Sequence, residues 1–173
     1  MTSHNNFFTL FDLPVAFDID KDALKKSLLT LQKIHHPDQA QSAPTQMASL
    51  INHAYDSLYH DDKRAAHLLE LAGVQCDLNA SINDWDFLDE MMEFRIALDD
   101  LNNQDELSEL LRAINNQKSR YNTAFNISYQ AKDWQNAEVN AQKIQFLEKL
   151  AIDVQHKLTD SLNTNGDDDD LYV

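Results

Sequence analysis

Asp20-Lys21-Asp22-Ala23-Leu24-Lys25-Lys26-Ser27-Leu28-Leu29-Thr30-Leu31-Gln32-Lys33-Ile34-His35-His36-Pro37-Asp38 is the stretch that decides the fold. Leu24, Leu28, Leu31 and His35 recur at spacings of 4, 3 and 4, which puts them on one face of an α-helix. Lys26 and Lys33 occupy the opposite face, with Leu29 and Lys25 toward its margins. Pro37 has no amide hydrogen and biases His36 away from the helical region, so the helix ends there. The pattern therefore places His36 and Asp38 on a stiff bend. That bend offers an imidazole and a carboxylate outward, and such a carboxylate can accept a bidentate arginine.

On the N-terminal side, Phe7, Phe8, Leu10, Phe11 and Leu13 form a short apolar opening that stops at Pro14. On the C-terminal side, a second helix is expected to start near Ser42-Ala43-Pro44, a capping hydroxyl with proline in the first turn. It carries Met47, Ile51, Ala54 and Leu58 on one stripe and ends near His60. A further segment, Lys63 to Ala72, contains Ala65, Leu68, Leu69 and Leu71 and closes at Gly73, a C′ glycine. Residues 74–84 show no sustained period, which sets a first domain at 1–75 and a linker at 76–84. Three longer helices follow, from about Trp85 to Leu101, Asp105 to Tyr129 and Trp134 to Leu162. The second carries Leu107, Leu111, Ile114, Lys118, Tyr121 and Phe125 in heptad register; the third carries Ala137, Ala141, Ile144, Ala151 and Leu158 on one side. The breaks at Asn102-Asn103 and Lys132-Asp133 are short, so 85–163 reads as an antiparallel three-helix bundle. Gly166 and the aspartates 167–170 mark 164–173 as a disordered acidic tail. Two glycines and three prolines in 173 residues are too few for a sheet with tight turns, so the fold is all-α.

The formal net charge of −15 argues against nucleic-acid binding and against an anionic membrane surface. A basic or mixed protein surface is the better match. Cys76 is the single cysteine, which excludes an internal disulfide and a cysteine-based metal site. The start of the chain lacks a secretion signal, and no apolar run approaches the roughly 20 residues of a membrane span, so the expected location is cytoplasmic. His53, His60 and His67 recur every seven residues, but a helix break near Asp61 separates the last. With no Glu-x-x-His spacing beside them, they read as surface or boundary residues and not as metal ligands. Cys76 has no basic neighbour and reads as inert. There is no glycine-rich phosphate loop and no nucleophile beside a base, so neither an enzyme nor a bound cofactor is expected.

The helix beginning at Trp85 carries more apolar surface than a bundle helix needs. Phe87, Met91, Phe94, Leu98 and Leu101 form the core-facing line. Trp85, Leu88, Met92 and Ile96 form another, roughly 100–180° around the axis. Asp89, Glu93 and Asp100 lie alongside it. An apolar strip edged with carboxylates fits a protein-docking face, and it also fits packing against the first domain. Phe146 of the last helix likewise points away from its Ala137–Ile144–Ala151 line.

His36-Pro37-Asp38 between two amphipathic helices resembles the J-domain. By composition the tripeptide would arise by chance in a chain this long on the order of 1% of the time. Ile51 to Leu58, followed by Arg64-Ala65, is similar to a J-domain third helix and its exit. Phe7 to Pro14, Arg64 to Leu69 and Met92-Glu93-Phe94-Arg95 resemble the HscB family, the J-proteins of iron–sulfur cluster assembly, and the resemblance runs to about Leu162. It implies two partners, a DnaK-type ATPase chaperone (HscA) and the cluster scaffold (IscU). It assigns ATPase stimulation to His36, Pro37 and Asp38, with Lys26 and Lys33 in support, although these two lysines also fit a plain solvated face. It assigns scaffold binding to Leu88, Met92, Glu93, Asp100 and Phe146, with Ile96 on the same face. His35 stands where J-domains usually have tyrosine, and Gln39 where they often have a basic residue, which implies weaker or more selective chaperone engagement. Asp89 replaces a usual apolar residue and Ile96 a usual acid. An alternative is a helical client-binding adaptor whose J-domain has lost its trigger.

Overall fold

The first helix, α1 (Phe7–Leu10), starts where the Asn6 side chain accepts hydrogen bonds from the amides of Phe8 and Thr9. The computed structural model describes residues 6–34 and 46–164. The His36-Pro37-Asp38 bend, the expected helix start at Ser42-Ala43-Pro44 and the acidic tail lie outside the described residues. All regular structure among the described residues is helical, as the composition requires.

Asp20 caps α2 (Lys21–Ile34), its carboxylate accepting from the Asp22 and Ala23 amides at 2.9 and 3.0 Å. Leu24 is fully buried, and Leu28 and Leu31 pack beside it, which is the face expected from their spacing. In α3 (Gln46–Tyr59), Ile51, Ala54 and Leu58 are buried, while Met47 in the first turn is exposed. The next helix, α4 (Asp61–Leu71), ends in a Schellman motif. Gly73, at φ +81°, donates to Glu70 O and Val74 donates to Leu69 O, both at 2.9 Å.

Asp84 caps α5 (Trp85–Asp100), and Asn103 caps α6 (Gln104–Gln130). A turn through Lys132, itself at φ 57°, leads to α7 (Trp134–Thr164), where Asp133 accepts from the Asn136 amide. These three helices form the bundle.

Two cores divide the molecule. One combines Phe8, Phe11, Phe17 and the inner faces of α2, α3 and α4 with Phe125 of α6 and Ala137, Ala141 and Ile144 of α7. The other joins Phe87, Met91 and Leu98 to Leu107, Leu110, Ile114, Leu147, Leu150, Ala151 and Val154. The α7 stripe is thus split. Its N-terminal alanines serve the first core, where side chains small enough for close approach meet Ala65 of α4. Only the C-terminal half serves the bundle.

Partly buried polar groups tie the two halves together. Asn122 of α6 donates to Asp61 at 2.9 Å, and Tyr129 donates its hydroxyl hydrogen to Leu68 O at 3.2 Å. Glu148 of α7 meets Lys118 at 2.6 Å and His60 at 3.2 Å. His67 departs from the boundary position expected for it. It is buried, stacked on Phe7 at 4.2 Å between centroids, and its Nε2 accepts from the Phe7 amide at 3.2 Å.

Candidate protein-docking surfaces

Two surfaces collect the residues singled out in the sequence. The first is the outer face of α2. Lys25, Lys26, Leu29 and Lys33 are all exposed there, opposite buried Leu24. Most other cations of the chain are committed elsewhere. Lys21 and Arg64 pair with Asp61, Lys63 with Asp56, Arg95 with Asp153, Arg112 with Glu109, Lys118 with Glu148 and Lys143 with Asp84. Among the described residues no carboxylate engages Lys25, Lys26 or Lys33. Three cations with no carboxylate partner among the described residues therefore share one helix face of a chain whose net charge is −15. His36, Pro37 and Asp38 follow in the sequence two residues after α2 ends.

The second surface lies on α5 and α7. Because α5 packs through Phe87, Met91 and Leu98, its other side is left outward. Trp85, Met92 and Ile96 are 80%, 64% and 51% exposed. Leu88 is half-buried and, with Ile82 and with Phe146 from α7, lines a shallow groove. Phe146 is held edge-on to Phe87 at 5.9 Å between centroids. Asp89, Glu93 and Asp100 are exposed, and no ion pair engages them among the described residues. Leu88, Met92, Glu93, Ile96, Asp100 and Phe146 thus belong to one side of the bundle. Among the described residues the stripe does not pack against the first domain, which instead meets α6 and α7 through α4 and through Phe17.

Three contacts hold α5 against α6 and α7. Arg95 reaches Asp153 at 2.7 Å, Gln117 donates to Glu90, and the Lys157 ammonium donates to Leu98 O at 2.6 Å and Asp99 O at 3.2 Å. The last contact satisfies orphan carbonyls at a helix C-terminus with a cation. Lys143, hydrogen-bonded to the capping Asp84, holds that carboxyl below the usual carboxylate range.

Sequence reasoning named Arg64 only within a motif and missed its role as a buried pin inside the first domain. It is buried and donates to Phe17 O, Leu58 O and Asp61, each at 2.6 Å. The available signal was an arginine inside an alanine- and leucine-rich helical segment with an aspartate three residues before it. Burial alone would raise the Asp61 carboxyl. The Arg64 guanidinium, the Lys21 ammonium and the Asn122 amide outweigh it and bring that carboxyl down to about 2. Cys76 goes the other way: burial, with Glu138 and Asp77 nearby, pushes its thiol up to about 12, so it stays protonated and unreactive. No group of three His, Cys, Asp or Glu side chains is placed to hold a metal among the described residues. No described helix is long and apolar enough to cross a membrane.

Residues 83–155 match the sequence model of the HSCB C-terminal oligomerisation domain. Over 169 residues the chain is 38% identical to the co-chaperone protein HscB homolog of Acinetobacter baylyi, covering 95% of this chain and 99% of that one. The chain belongs to the HscB family. An HscB homolog of Acinetobacter baumannii is 35% identical over 168 residues, 96% of this chain and 97% of that one. The chaperone HscB from Vibrio cholerae superposes with a TM-score of 0.74 at 29% identity, covering 91% of this chain and 99% of that one. The human co-chaperone protein HscB shares the fold, with a TM-score of 0.76 at 21% identity over 91% of this chain and 84% of that one. The architecture is therefore that of HscB, an N-terminal J-domain followed by a C-terminal helical bundle, and its class of activity is that of a co-chaperone.

Proposed function

We propose that this HscB-family protein stimulates the ATPase of a DnaK-type chaperone (HscA-like) and presents to it an iron–sulfur scaffold of the IscU type. The observation that carries the reading is the outer face of α2, where Lys25, Lys26 and Lys33 stand without carboxylate partners among the described residues of a strongly acidic chain. Such a face steers encounter with an acidic surface and disfavours association with basic ones. His36, Pro37 and Asp38 then supply the trigger, with Asp38 offered to an arginine of the chaperone. The scaffold docks on Leu88, Met92, Glu93, Ile96, Asp100 and Phe146. The chain holds no cofactor of its own, and the reacting groups are the chaperone's. It acts by binding best to the chaperone conformation that hydrolyses ATP while holding the scaffold in the same complex. In this reading residues 1–75 serve the chaperone, 85–163 serve the scaffold, and all three proteins are cytoplasmic.

The test is steady-state ATPase of the cognate chaperone with and without this protein. Stimulation is expected with the unaltered chain and is expected to disappear with His36→Gln. Full stimulation by His36→Gln refutes the trigger. Scaffold binding with no stimulation by the unaltered chain assigns it instead to client tethering alone.

A further inference from the structure

Trp85 is the most exposed of the large hydrophobic residues described, and nothing in the fold requires an indole there. The start of α5 is already capped by Asp84, which accepts from the Phe87 amide at 3.1 Å. Trp85 makes no hydrogen bond or ring contact among the described residues. At 100° per residue, Met92 and Ile96 fall within about 20° of the line through Trp85 parallel to the helix axis, and the three span about 16 Å. This line takes in two of the positions at which the sequence reading expects a departure from the family pattern. Ile96 extends it, and Asp89 sits one turn from Trp85 beside it.

One flank of this line is negative. Asp86, Asp89, Glu93, Asp99 and Asp100 are exposed, and none is in an ion pair among the described residues. On the other flank Arg95 pairs with Asp153 at the surface, Lys143 is held by Asp84 and Lys157 by backbone carbonyls, while Lys149 is exposed at the groove beside Leu88 and Phe146. A partner that covers the indole and this acidic flank therefore gains from positive charge of its own.

We propose that Trp85 is the leading anchor for the scaffold, and that the scaffold surface it takes is apolar with lysine or arginine at its border. A partner cation can lie over the indole face while pairing with Asp89, an arrangement that strengthens as water is expelled. Tryptophans at the centre of such contacts carry a disproportionate share of binding energy. The identity of the occupant rests on the function proposed above; the anchor and the chemistry of the occupant's surface rest on α5 itself.

The experiment is titration calorimetry of the full chain against the IscU-type scaffold encoded in the same genome. Trp85→Ala, Leu88→Ala and Phe146→Ala are run alongside, with helical content checked by circular dichroism. Trp85→Ala is expected to weaken the affinity by about tenfold or more at unchanged helical content. The affinity of the unaltered chain is expected to fall as salt rises. In a Trp134→Phe chain, the emission of Trp85 is expected to shift to the blue when the scaffold is added. Affinity of Trp85→Ala within about twofold of the parent, while Leu88→Ala or Phe146→Ala loses binding, overturns the anchor and leaves the proposed function standing. Affinity independent of salt overturns the cationic border. Failure of the scaffold to bind the unaltered chain overturns the proposed function together with the anchor.

Discussion

Replacing Arg64 with methionine removes one guanidinium and keeps most of its apolar stem. Three short hydrogen bonds disappear, to Phe17 O, Leu58 O and Asp61, together with the placement of the cation 4.9 Å from the Phe17 ring centroid. Two buried carbonyls lose a charged donor. Asp61 keeps only Asn122 at 2.9 Å, Lys21 at 3.2 Å and, more distantly, Lys118 at 3.9 Å. Breaking one side of a buried ion pair costs roughly 3–5 kcal/mol, and the surviving partners of Asp61 put the expected loss near the lower bound, about 3 kcal/mol. With a urea slope of about 2 kcal/mol/M, the midpoint should fall by about 1.5 M at pH 7. A pH series tests the same pair independently. The folded Asp61 carboxyl is depressed to about 2, so its stabilisation is complete above the ordinary carboxylate pKa and is lost as pH falls toward 2. Without Arg64 that carboxyl rises, and the acid-dependent part of the stability shrinks. Urea unfolding followed by far-UV circular dichroism at pH 7, 4 and 3 reads both effects. A midpoint shift below about 0.5 M with unchanged slope, or an acid dependence identical to the parent's, would refute the reasoning.

Two further outcomes are expected. Lys26→Glu with Lys33→Glu should reduce chaperone ATPase stimulation, most strongly at low salt, with no change in scaffold affinity; stimulation indifferent to both substitutions would make the α2 face simple solvation. Gly73→Ala should destabilise by roughly 1 kcal/mol, lowering the melting temperature by about 2–4 °C. A Cβ there meets nothing within 4 Å, so the whole cost is the φ of +81° and a change in packing plays no part.

Features set by local chemistry were legible in the sequence. Gly73 announced the end of α4, and the observed Schellman bonds are what a C′ glycine there makes. The 4–3–4 spacing of α2 gave the buried face, and the apolar excess on α5 gave the outward stripe, because each depends only on positions along one helix. What failed depended on which neighbour a face meets. The heptad reading of α6 placed Leu111 and Lys118 inward. Both are partly buried there, Leu111 on the second core and Lys118 against Glu148, but the reading left out Leu110 and Gln117, which the helix also buries because its inward face serves the bundle at Leu107 and Ile114 and the J-domain at Phe125. Ala137, Ala141 and Ile144 likewise looked like bundle core and turned out to face α4. His67 looked like a boundary residue because its burial depends on Phe7, 60 positions earlier. No window of local sequence carries that pairing.

The span between the two docking surfaces follows from the way these helices are shared. In sequence the J-domain and the bundle are joined by residues 74–84, which alone would act as a loose tether. That segment is instead laid against α7. Gln142 donates to Asp77 O at 3.0 Å, the Asp77 amide donates to Glu138 at 3.3 Å, and Val74, Cys76 and Leu78 pack on the first core. Beyond the linker, α6 and α7 each run through both cores, so a displacement of α4 relative to α5 would have to break Tyr129–Leu68, Asn122–Asp61 and His60–Glu148 as well as open apolar surface. For a protein that brings two partners together, this matters quantitatively. A flexible tether spreads the second partner over many separations and lowers its effective concentration as the chain lengthens. A packed span spends the ordering entropy at folding, before either partner arrives. In the proposed function, a scaffold on α5 therefore meets the chaperone engaged on α2 at one separation set by the fold. Loosening the α4–α7 seam should lower the concerted effect of scaffold and J-domain on the ATPase before it lowers either binding step alone.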